Sequence, residues 1–112
     1  MNTGPIVISA KLATYTLSVA LTKDKKIEAE DTLKQIGIFG AGLAVESLYI
    51  EGKGEFFSIT NDRKTNLHIQ NYIFSLLFQI FGDSLVFDSH YIILKDIINI
   101  TLAYAVALPI IE

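Results

Sequence analysis

Bulky and small side chains alternate from Thr14 to Thr22. Tyr15, Leu17, Val19 and Leu21 fall on one side, and Thr14, Thr16, Ser18, Ala20 and Thr22 on the other. A period of two is the mark of an extended chain. Residues 5–22 are therefore expected as a long strand, or as a hairpin bent near Ala13. Ile27, Ala29, Leu33 and Ile36 then follow helical spacing, with Glu28, Glu30 and Asp31 at the start, where acids favour the helix dipole. Gly37 is placed as the residue that closes this helix. Two β-prone runs, LAVESLYI and FFSITN, flank Gly52-Lys53-Gly54 and read as a hairpin.

Asn61 or Asp62 can cap a second helix, Lys64–Phe81, ended by Gly82. Its polar positions Asn71, Ser75 and Gln79, with Gly82, draw a single thin stripe. Apolar residues fill the rest, which predicts a helix buried nearly all round. The last third reads as strands: Leu85–Phe87, a turn at Asp88-Ser89, Tyr91–Leu94, a break at Lys95-Asp96, and Ile98–Leu108 before Pro109. In that last run Ile98, Ile100, Leu102, Tyr104, Val106 and Leu108 oppose Asn99, Thr101, Ala103, Ala105 and Ala107. The order β(β)-α-ββ-α-βββ predicts a single α+β domain over residues 1–112, a mainly antiparallel sheet of five to six strands carrying two helices. Each long strand would present one bulky face for packing and one small-residue face, solvated or in contact with a second subunit.

Composition adds a problem of surface. Hydrophobic residues make up 51% of the 112-residue chain and charged ones 19%, against about 25% charged in an average soluble domain. One small core cannot hide so many apolar side chains, so either a membrane or a partner must cover them. No uncharged apolar stretch reaches the ~18 residues of a spanning helix. The first residues lack the basic start of a signal peptide. The expectation is therefore a cytoplasmic protein that forms a homo-oligomer, most simply a dimer, with no membrane association. The net charge is −3 and Arg63 is the sole arginine, which speaks against nucleic-acid binding. The absence of cysteine removes thiol catalysis, disulfides and Cys-ligated metals.

Little chemistry stands out. Gly37, Gly40 and Gly42 have the spacing G-x-x-G-x-G between a helix and a strand, not the dinucleotide fingerprint, and Leu43-Ala44 occupies the place of a P-loop lysine and hydroxyl. Glu51 and Glu55 read as a solvated hairpin tip, and no G-x-S-x-G occurs. Asp88 and His90 have no third ligand spaced to join them, although Asp83 could approach them in space, so no metal or other cofactor is expected. The most polar stretch, NDRKTNLH, opens the second helix. Asn61, Arg63, Lys64 and His68, with His90 contributing, form the candidate ligand site, an anion-binding cleft between subunits. Two functions compete: a non-enzymatic interaction domain of regulatory, inhibitor or immunity-like type, and a small ligand-binding or catalytic domain using that cleft.

Overall fold

The computed structural model describes residues 5–21, 29–50, 60–87 and 90–111. They form four helices: α1 (Pro5–Leu21), α2 (Ala29–Val45), α3 (Arg63–Val86) and α4 (His90–Ile111). A π-helical turn, Glu46–Ile50, continues α2. No strand occurs among the described residues, so the α+β expectation is overturned. The first long strand is α1, the last two are α4, and Leu85–Val86 is the end of α3. The first arm of the hairpin lies in α2 and its π turn. The glycine-lysine tip, Glu51, Glu55 and the Asp88-Ser89 turn lie outside the described residues.

Both misread strands carry a second period that alternation conceals. In α1 the buried positions are Val7, Lys11, Tyr15, Ser18 and Val19, spaced three or four apart. In α4 the inward set is Asp96, Asn99, Ile100, Ala103, Tyr104 and Ala107, while Leu94, Ile98, Leu102, Val106 and Ile110 recur every fourth residue on the outer face. A helix rotates 100° per residue, so both patterns give a coherent inner face once polar and small residues are allowed to point inward.

The second helix is the element closest to its expectation. Asp62, not Asn61, is the cap: its Oδ1 accepts from the Lys64 backbone N–H at 3.1 Å, and its Oδ2 from the Thr65 hydroxyl at 2.9 Å. The helix continues through Gly82 to Val86. Likewise Gly37 does not stop the first predicted helix, because α2 runs on through Gly37, Gly40 and Gly42.

These glycines differ in their surroundings. A Cβ on Gly37 would meet no atom within 4 Å, whereas one on Gly82 would lie 2.7 Å from Ile38 Cγ2, a group fixed on a stiff β-branched carbon. Gly82 lets α3 approach α2. Gly37→Ala is accordingly expected to raise stability by up to ~1 kcal/mol. Gly82→Val should lower it by about 1–3 kcal/mol through overpacking. Thermal unfolding of the two variants against the parent protein measures both.

Each helix packs on the next in sequence, and α4 closes back onto α1. Neighbours run antiparallel. Lys11 meets Tyr104 and Tyr15 meets Asp96 between α1 and α4; His68 meets Tyr104 and Gln79 meets Asp96 between α3 and α4. The result is an up-down-up-down bundle of 44 × 24 × 21 Å.

Candidate polar interior

The bundle is polar inside. Lys11, Gln35, Glu46, His68, Asn71, Ser75, Gln79, Asp83, Asp96 and Asn99 are all buried. The stripe on α3 supplies four of them, Asn71, Ser75, Gln79 and Asp83, one or so per turn. Its face is therefore the opposite of the one expected: the polar line is buried and the apolar sides are outward, with Leu77 63% and Phe81 67% exposed.

Two groups of polar side chains sit at different levels. At the level of the α3 C-terminal half, four helices converge on Asp96. Its Oδ1 accepts from the Tyr15 hydroxyl of α1 at 2.6 Å and from Gln35 Nε2 of α2 at 2.8 Å. Its Oδ2 accepts from Gln79 Nε2 of α3 at 3.2 Å. The same Gln79 nitrogen donates to Asp83 Oδ1 at 3.2 Å, and it lies 3.3 Å from the Gln35 carbonyl oxygen. Ser18 donates to Asn99 close by.

The second group gathers around Tyr104. Its hydroxyl donates to Glu46 Oε1 at 2.7 Å, its backbone carbonyl accepts from His68 Nε2 at 2.9 Å, and Lys11 Nζ stands 4.2 Å above its ring. The π-helical turn carries Glu46 inward at the point where α2 would otherwise end. Phe39, Leu43, Ile100 and Ala103 form an apolar layer between the groups, with Phe39 stacked on Tyr15 at 4.2 Å. Only α3 stays polar across that layer, through Asn71 and Ser75. The Asn71 amide is wholly buried, and neither its Oδ1 nor its Nδ2 has a hydrogen-bond partner. An amide in that state is expensive, and a bound polar species would relieve it.

The sequence candidates part company in this arrangement. Asn61, Arg63 and Lys64 are exposed at the start of α3, while His68 is 5% exposed and turned into the bundle. The side chain of His90 lies outside the described residues. Asp83 joins Asp96 in the interior. No group of three or more His, Asp or Glu side chains arranged for a metal occurs among the described residues. Sequence reading missed Lys11, Gln35, Glu46 and Asp96, although each stands where a helical period through its neighbours would have turned it inward.

The outside is as unusual as the inside. Large apolar side chains are exposed on all four helices, among them Leu17, Leu33, Leu77 and Leu102. Every charged residue of the described helices that is not buried lies within the first six positions of its helix: Glu30, Asp31 and Lys34 on α2, Arg63 and Lys64 on α3, Lys95 on α4. Between these ends the described surface carries no charge. Two exposed hydroxyls there turn back on their own helix: Ser84 donates to the Ile80 carbonyl at 2.7 Å, and Thr101 to that of Ile97 at 2.8 Å. Comparisons with protein families, with characterised sequences and with solved structures give no match.

Proposed function

We propose that this chain is an integral membrane protein whose four helices cross the bilayer and enclose a polar interior for a small polar or ionic species. The observation that carries the reading is the inverted distribution of side chains, with carboxylates, amides, a lysine and a histidine inside and leucine, isoleucine and phenylalanine outside. In water this arrangement is backwards, because apolar surface belongs in the core. In a bilayer it is the favoured one, since lipid tails accept apolar side chains and polar groups must find partners within the protein.

Dimensions agree. The helices have 17 to 24 residues, or 22 for α2 with its π turn, hence about 26–36 Å at 1.5 Å per residue against a hydrocarbon thickness of about 30 Å. Ile93–Ile110 in α4 is long and apolar enough to cross by itself. Charges at the helix ends would meet the headgroups, with Lys34 reaching there along its own stem. A two-fold homo-oligomer accounts for an apolar patch on one side, but here the apolar residues surround the bundle, and a single isologous interface leaves most of them wet.

Alkaline carbonate washing of membranes from expressing cells tests the proposal. The protein should stay in the pellet and require detergent for release. A discrete oligomer recovered in the soluble fraction without detergent would refute the bilayer reading and return the excess apolar surface to a subunit interface.

A further inference from the structure

We infer that the Asp83–Asp96 pair is a proton-binding site, holding one exchangeable proton on Asp83 within the four-helix junction. This rests on the reading above for its setting and names the ionic species that the interior takes. Its geometry comes from the bundle alone.

Two buried carboxylates share one neighbourhood. Asp83 is 0% and Asp96 1% exposed, and both accept from the same nitrogen, Gln79 Nε2, at 3.2 Å. Two buried carboxyl groups held on a single shared donor need a proton on one of them. Without it, two negative charges would face each other in a region from which water is excluded.

The surrounding groups say which acid carries the proton. Asp96 accepts from a tyrosine hydroxyl and two amide nitrogens. Those three donors occupy both of its oxygens. Asp83 receives from Gln79 alone, and its Oδ2 is buried without a partner. In the same cluster, Gln35 Oε1 is also buried and unpartnered. Both orphans are acceptors, so what the site lacks is a donor. Protonation of Asp83 Oδ2 forms an O–H bond, changes an acceptor into a donor, and takes the pair from two negative charges to one. The groups that face the pair are Tyr15 from α1, Gln35 from α2, Gln79 from α3 and, on α4, Asp96 itself. Of these only the tyrosine is titratable besides the acids, and it acts as a donor to Asp96.

The infrared spectrum of the purified protein in detergent reads this directly, through the carbonyl band of a protonated carboxyl group. At neutral pH the wild-type protein should show that band, shifted on transfer to heavy water because the proton exchanges. Asp83→Asn should lose it, and Glu46→Gln, which removes another buried acid, should keep it. A wild-type spectrum without the band overturns the proposal, whether or not the variants fold. So does a band that vanishes in Glu46→Gln and persists in Asp83→Asn. A band that forms only when sodium is withdrawn would assign the site to a metal cation and likewise overturn it. These outcomes are independent of the carbonate wash, so a protein that fails one test can still pass the other.

Discussion

Leu77→Arg is expected to remove most of the protein from the membrane fraction, whereas Leu77→Ala leaves it there. Leu77 sits near the middle of α3, on its outer face, and is 63% exposed. If that face meets lipid, an arginine there costs about 2.5–3.5 kcal/mol of insertion free energy. That is a shift of roughly 100-fold in partitioning. If the same face meets water, the change lies within about 0.5 kcal/mol and improves solubility. The membrane-bound fraction of the two variants, measured by the same carbonate wash, separates the cases. Equal membrane residence of Leu77→Arg and the parent protein would count against a lipid-facing α3.

The second large effect is expected inside. Asp96→Leu removes the acceptor of three donors that arrive from three different helices: Tyr15, Gln35 and Gln79. Tyr15 and Gln35 are buried and keep the cost of an unmet hydrogen bond, while Gln79 retains Asp83 and the Gln35 carbonyl as acceptors. The loss should amount to about 2–4 kcal/mol, seen as a lower unfolding temperature in detergent. Asp96→Asn should be milder, because its amide oxygen still accepts from two of them. A leucine variant as stable as the parent would mean that the network contributes nothing net, the outcome known for some buried polar clusters replaced by well-packed apolar residues.

These two residues also show why the sequence misleads. Leu77 belongs to the apolar majority of α3, and a water-based rule places that majority in the core. The polar stripe through Asn71, Ser75 and Gln79 was legible as a stripe, and so were the cap near Asp62 and most of the helix. Its direction was not legible, because periodicity defines a face without saying what the face meets. Asp96 was read with Lys95 as a break between strands. In the bundle Lys95 is half-buried near the start of α4 and Asp96 one residue on is fully enclosed. Two adjacent charges on a helix point about 100° apart and can have opposite fates.

On the bilayer reading, a count along the chain misses spanning segments for a related reason. Lys11 divides α1, Gln35 stands early in α2, Gln79 and Asp83 interrupt α3, and Asp96 and Asn99 interrupt the start of α4. Counting along the chain sets each of them against a membrane helix. In three dimensions Gln35, Gln79, Asp83 and Asp96 share hydrogen bonds and Asn99 accepts from Ser18, so the cost to the bundle is smaller than the linear count implies.

What the sequence determined by itself is the surplus of apolar surface, the lack of any cysteine, an acidic charge balance, and the period of the α3 stripe, all of which follow from residue identity and local spacing. Whether alternating runs became strands or helices, which side of each helix faces inward, and the meeting of Tyr15, Gln35, Gln79, Asp83 and Asp96 were decided only by tertiary structure. Those residues lie as far as 81 positions apart in the chain, and a hydrogen bond across such a distance leaves no local trace. Its energy depends on burial, which exists only once the four helices have closed around it.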